Sequence, residues 1–124
     1  MRQAERRFAP RPESAAEARE FVSSAVRETT IDHDDALLLT SELVNNAIVH
    51  AKSDFEVRVS IEDAEAVRID VVNHAPQLLL LAREPSDESG RGLAILDAIA
   101  SAWGFERQAD VKSVWFQLSG APRD

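Results

Sequence analysis

Residues 55 to 73, FEVRVSIEDAEAVRIDVVN, constrain the fold more than any other stretch of this chain. Phe55, Val57, Val59 and Ile61 alternate with Glu56, Arg58, Ser60 and Glu62. After the turn "DAEA", Val67, Ile69 and Val71 alternate again. A period of two puts one set of side chains on each face of a pleated strand, so the stretch predicts a hairpin with one apolar and one wet face. Its apolar face must be covered by something else in the chain, and two amphipathic stretches are available. From Glu13, Ala18, Phe21, Val22, Ala25 and Val26 fall on one helical face. Asp32 then serves as N-cap for a second helix from about His33 to about Ala51, whose stripe is Ala36, Thr40, Leu43, Val44, Ala47 and Ala51.

The ends of the chain add strands. "ERRFAPRP" gives a short edge strand that stops at the prolines, which cannot donate to a ladder. "GRGLAILDAIASAWG" is a Gly-rich turn opening a short helix, with Gly104 after Trp103 suited to its C-terminal cap. "GFERQAD" and "VKSVWFQLS" predict two closing strands. The order strand, helix, helix, strand, strand, helix, strand, strand implies an α+β fold. It is a two-layer α/β sandwich, with a mostly antiparallel mixed sheet and helices on one face. The 124 residues make one domain, 1–124, with no internal repeat.

Composition excludes several functions. A net charge of −8, from 14 basic and 22 acidic residues, argues against a phosphate-backbone ligand, so no direct nucleic-acid partner is expected. There is no cysteine, which rules out disulfides and thiolate metal sites and is compatible with a cytoplasmic location. The start has no apolar segment of the secretory kind, and the longest apolar run, Leu78 to Ala82, is too short to span a bilayer. No recognisable nucleophile motif occurs. His33, His50 and His74 are not spaced as a ligand set.

Three stretches carry candidate chemistry. In "SELVNNAIVHA", Glu42, Asn46 and His50 are four apart and form a row on the shoulder of the helix stripe, while Asn45 points to solvent. A carboxylate there can deprotonate a hydroxyl, and an amide oxygen one turn on is a hard ligand suited to Mg²⁺. The same spacing also suits a solvated polar face. In "SGRGLAIL", glycines 90 and 92 let the backbone approach an anion, and the following helix aims free amides at it, although glycine commonly opens helices of any kind. In "VVNHAP", Asn73 and His74 sit at a strand end, where Asn also serves as an ordinary turn residue.

Taken in order, these stretches resemble the Bergerat-fold ATPase domain shared by gyrase, histidine kinases and MutL. They look still more like small actinobacterial ATP-binding regulators akin to anti-sigma-factor serine kinases. "SELVNNAIVHA" is similar to the N box, "SGRGLAIL" to the second glycine box, and "KSVWFQL" to the closing strand; "FAPRPESAAEAREFV" looks like the entry strand and first helix. The resemblance covers nearly the whole chain. It implies ATP and Mg²⁺ as cofactors, Glu42 as general base and Asn46 as the Mg²⁺ ligand. Gly90, Arg91, Gly92 and Leu93 would hold the phosphates, and Ser113 would help hold the adenine end. The first glycine box, Asp-x-Gly-x-Gly, is replaced by Asn73-His74-Ala75-Pro76-Gln77. Asn73 there takes the position that accepts from the adenine amino group, without the charge of Asp, and Ala75 and Gln77 take the glycine positions, without the freedom of Gly. The partners implied are a sigma factor and a STAS-type anti-anti-sigma protein, the latter phosphorylated on Ser, with a homodimer common among such proteins. A binding module of the same fold with a degenerate nucleotide site is the alternative.

Overall fold

The computed structural model describes residues 2–51, 53–73, 90–108 and 111–120, with the side chains of 50, 51, 90–93 and 108 left aside. The elements in order are β1 (Arg2–Phe8), α1 (Glu13–Ala25), α2 (His33–Asn46) continued by a π-helical turn (Ala47–Ala51), β2 (Phe55–Asp63), β3 (Ala66–Asn73), α3 (Gly90–Ile99), β4 (Ala102–Gln108) and β5 (Val111–Ser119). The strands form one sheet in the order β1-β2-β3-β5-β4. Every neighbouring pair is antiparallel, so the mostly antiparallel sheet expected is antiparallel throughout among the described residues.

The alternation sorts the faces as expected. Phe55, Val57 and Val59 lie opposite Asn73, Val71 and Ile69, and these lie opposite Lys112, Val114 and Phe116 in turn. That face is buried under Ala18 and Val22 of α1 with Val26 just past its end, Ala36, Leu39, Leu43 and Val44 of α2, and Leu96 of α3. Phe8, where β1 ends, stacks on Phe55 with ring centroids 5.5 Å apart, and Phe21 meets Phe8 edge-on at 6.4 Å. Burying side chains of this size contributes about 1.5–3 kcal/mol each, which fixes the helices on this face.

Local chemistry sets the helix ends. Asp32 caps α2 as expected, its carboxylate oxygen accepting from the Asp35 amide at 3.0 Å. Two acidic residues, Asp34 and Asp35, follow in the first turn. Burial, then the neighbouring Asp32 and Asp34 carboxylates, push the Asp35 carboxyl above its ordinary range. Opposite the site end, the α1–α2 loop closes on the hairpin turn: the Thr30 amide donates to Ala64 O and the Gly120 amide to Glu65 O, both at 2.7 Å. A Cβ at Gly120 would come within 2.8 Å of the Thr30 backbone, so glycine alone permits this junction.

Gly104 departs from expectation. It lies inside β4 and does not cap α3, which ends at Ile99. Directly opposite it stands Trp115, and a Cβ on Gly104 would meet the Trp115 ring at 2.9 Å. Glycine in a strand marks close approach as often as a stop, and here the indole lies over the backbone.

Candidate functional site

The site is built at one end of the sheet. β2 begins there with Phe55, β3 ends there with Asn73, and β5 begins there with Lys112 opposite Asn73. The π-helical turn that prolongs α2 packs against β3, and α2 packs against α3. A π-helical turn widens the helix by one residue per turn and is frequent beside functional sites. Here it starts one residue after Asn46, so the expected regular row through Glu42, Asn46 and His50 keeps α-helical spacing only as far as Asn46. The His50 side chain lies outside the described residues. Glu42 and Asn46 are half-buried, Asn45 is exposed, and neither Glu42 nor Asn46 has a side-chain hydrogen-bond partner among the described residues.

α3 lies back over β4. The Ser101 amide donates to Gln117 O at 2.9 Å, and Trp103 Nε1 donates to Asp97 Oδ1 at 2.8 Å, which fastens the helix C-terminal half beside the start of β4. The ten residues of α3 span about 15 Å, close to the roughly 17 Å of strand from Gln117 back to Lys112. The first four amides of a helix have no intrahelical acceptor, so those of Gly90, Arg91, Gly92 and Leu93 are free donors at the start of α3. They favour an anion through the helix dipole. The Arg91 and Leu93 side chains, His74 to Gln77 of the altered glycine box, and residues 78–89 lie outside the described residues.

Asn73 is the informative residue. It is 8% exposed, and its Oδ1 is buried without a hydrogen-bond partner among the described residues. A buried acceptor left unmade costs about 1–3 kcal/mol, so its place in a strand end calls for a donor. Thr40 Oγ1 is likewise unpartnered, but it lies within α2, where a hydroxyl has its own helix carbonyls within reach. Asn73 has no such recourse. The exocyclic amino group of an adenine is a donor of the required kind, so Asn73 would suit the base of an ATP and the α3 amides its phosphates.

The structure does not bring Ser113 to this group. Ser113 pairs with Val72, so it stands on the helix-free face, where its hydroxyl donates to Asp70 Oδ2 at 2.9 Å. There Asp70 also accepts from Arg68 at 2.9 and 3.0 Å, and the Arg68 guanidinium lies 4.4 Å above the Trp115 ring. The bond to Asp70, foremost, holds the guanidinium even more firmly charged. A depression of about 680 Å³ on that face is lined by Arg58, Arg68, Asp70 and Glu106 among others. Its charges are already engaged with one another, Arg58 with Glu5 at 3.3 Å and Arg68 with Glu106 at 3.6 Å.

The side chain of β5 that does face Asn73 is Lys112, which the motif reading passed over. It is 5% exposed, with its ammonium 5.0 Å from the Phe105 ring centroid. Period-two counting back from Leu118, Phe116 and Val114 would have found it, since residue 112 shares their face and residue 113 does not. No cluster of three or more His, Asp or Glu residues suited to a metal exists among the described residues. A Mg²⁺ here would therefore depend on Asn46 together with the ligand's own phosphates.

Comparison with known proteins bears on the fold and the family. An uncharacterized protein of Streptomyces coelicolor is 38% identical over 69 residues, which cover 53% of this chain and 66% of that protein. The chain thus spans a little under two thirds of that relative. The crystal structure of the RsbU and RsbW domains of Rv1364c from Mycobacterium tuberculosis matches with a TM-score of 0.71 at 19% identity, over 99% of this chain and 34% of that one. At that identity the likeness speaks for the fold. The family model of the histidine kinase-like ATPase domain matches residues 8–118, and the chain belongs to that family.

Proposed function

We propose that this protein is an ATP- and Mg²⁺-dependent regulator of the anti-sigma type. It would bind a sigma factor, a STAS-type anti-anti-sigma protein or both, and phosphorylate the latter on Ser. The observation that carries the nucleotide part is the buried Oδ1 of Asn73, which has no hydrogen-bond partner among the described residues, at the end of β3. The regulatory part rests on the family and on the likeness of the whole chain to a structure containing an RsbW domain.

Each residue has a definable task. Asn73 accepts a hydrogen bond from the base, and the amides of Gly90 to Leu93 receive phosphate oxygens. Asn46 offers its amide oxygen to Mg²⁺. Glu42, four residues earlier on the same half-buried shoulder, takes the proton from the attacking Ser hydroxyl of the partner. When bound, ATP with Mg²⁺ supplies the transferable phosphoryl group, whose transfer is chiefly a matter of positioning and charge stabilisation.

A second reading has its own observation. Asn73 is neutral, and a neutral hydrogen bond is roughly half as strong as one to a carboxylate, so a module that binds proteins with weak or no nucleotide dependence fits the same fold. Calorimetric titration with ATP and Mg²⁺, followed by co-purification of the bound protein, separates the two. Heat of binding and phosphate transfer to a STAS partner support the kinase. Partner binding without any nucleotide heat leaves the binding module.

A further inference from the structure

We infer that the free edge of β1, with the groove between β1 and α1, is a docking site for an extended acidic segment of a partner protein. The inference stands apart from the nucleotide reading, because this groove opens towards the β2–β3 hairpin turn, at the sheet end away from Asn73. Among the described residues β1 pairs only with β2, and six of its seven residues are exposed. Alternate residues of an edge strand turn their amides and carbonyls outward, where they can accept a further strand. Edges are commonly closed to such pairing by a proline, a bulge or shortness. β1 has seven residues, none of them proline, and an unbroken register against β2.

The side chains decide which strand fits. Arg2, Ala4 and Arg6 lie opposite Ile61, Val59 and Val57, so they share the helix-covered face. Beside Ala4 a groove of about 330 Å³ opens between β1 and α1, with Phe21, Ala25 and Ile61 in its walls and Arg2 at its rim. Those three apolar side chains are only partly buried, and the small Ala4 leaves room for one more beside them. On the other face of β1, Glu5 is engaged with Arg58 and Arg7 with Asp54, each at 3.3 Å. Arg2 and Arg6 have no carboxylate partner among the described residues, and the Arg6 guanidinium rests 4.9 Å above the Phe8 ring. Beyond Arg2 the wall turns acidic with Glu28, Glu62 and Asp63, which confines an acidic ligand to the stretch from Arg2 to Arg6. The chain's −8 is spread over its surface. At physiological salt a charge more than about 8 Å away is largely screened, so the local arginines set the sign here. Opposite charges directly across a ladder are favourable, and side chains on one face recur every second residue. The strand that fits therefore reads acid, any residue, apolar, any residue, acid. That pattern is the same in either direction. A second copy of β1, with three arginines against one glutamate, fits it poorly.

The test uses a fluorescein-labelled peptide, Thr-Glu-Thr-Leu-Thr-Glu-Thr, and its counterpart with Lys in place of Glu, read by fluorescence anisotropy on the full chain. The parent should bind the Glu peptide about ten-fold more tightly than the Lys peptide, with the difference shrinking as salt rises. Arg2→Glu combined with Arg6→Glu should reverse that preference. Ala25→Leu, which fills the groove from α1, should weaken the Glu peptide about ten-fold. Thermal melting confirms that each variant keeps its fold. A parent that binds neither peptide, or both equally, overturns the assignment. So does an unreversed preference in the double arginine variant, or parent-like binding by a folded Ala25→Leu. A parent that is dimeric by light scattering and becomes monomeric when the Glu peptide is added gives the edge to a second copy, which also overturns it.

Discussion

Replacing Asn73 with Asp should move the stability of the free protein and its nucleotide affinity in opposite directions. The side chain is 8% exposed and its Oδ1 has no donor, so a carboxylate there loses hydration without a hydrogen bond in return. Lys112 across the ladder softens that cost but does not replace a bonded donor. The expected loss in the ligand-free protein is about 1–3 kcal/mol, the range for an unsatisfied buried polar group. In a chain of 124 residues each kcal/mol lowers Tm by roughly 3–5 °C, so the variant should melt about 3–15 °C below the parent. ATP reverses the sign. The base amino group then donates to a charged acceptor, a bond stronger than the neutral one by about 1 kcal/mol, or roughly five-fold in Kd. Paired thermal melts with and without ATP and Mg²⁺, alongside calorimetry, read both effects. The argument fails if Asn73→Asp melts like the parent without nucleotide, or if it melts lower yet binds ATP no more tightly.

Three other substitutions probe separate parts of the fold. Glu42→Gln should retain nucleotide binding and slow phosphoryl transfer by about 10²–10⁴-fold, the scale of general-base catalysis, whereas Asn46→Ala should weaken the Mg²⁺-dependent part of binding in a titration with and without the metal. Gly104→Ala places a Cβ at 2.9 Å from the Trp115 ring, which overpacks the strand and should cost about 1–3 kcal/mol by chemical denaturation. Asp35 has a folded-state pKa raised above 3.8, so its contribution is present in full below that value and is lost as pH rises through the folded pKa. Asp35→Asn should therefore gain stability relative to the parent as pH climbs through that window, and a constant difference across the pH series would refute the sign.

Periodicity carried most of the architecture. The alternations at Phe55–Ile61 and Val67–Val71 became β2 and β3, and the stripes of α1 and α2 became the core-facing sides of those helices. Asp32 capped α2 because its type and place were sufficient local cause. What escaped was decided by partners distant in sequence. Leu39 was left out of the α2 stripe yet is fully buried, since the sheet and the neighbouring helices enclose a wider arc than the narrow stripe implied. Gly104 follows Trp103 at the end of a helical pattern in a manner typical of a helix stop, and only the packing of Trp115 over it shows why a strand needs glycine there. Ser113 was assigned by motif position, but the pleat allows just one of residues 112 and 113 to face Asn73, and the ladder register selects Lys112. Glu42, Asn46 and Asn73 were legible because polar types stood at the margins of apolar patterns. Lys112 was not, because a lysine at the start of a strand has many ordinary uses.

The two tryptophans end up on opposite sides of one sheet. Trp103 is tied through its indole nitrogen to Asp97 of α3 on the helix-covered side, and Trp115 lies under Arg68 on the other. Their emission can therefore be divided spatially. With Trp115→Phe the remaining fluorophore reports whether α3 stays docked as nucleotide is added. With Trp103→Phe it reports the charged outer face, which touches none of the proposed ligand contacts. The two single-tryptophan variants thus supply a signal and a reference, so nucleotide occupancy of the helix-covered face can be followed without a label.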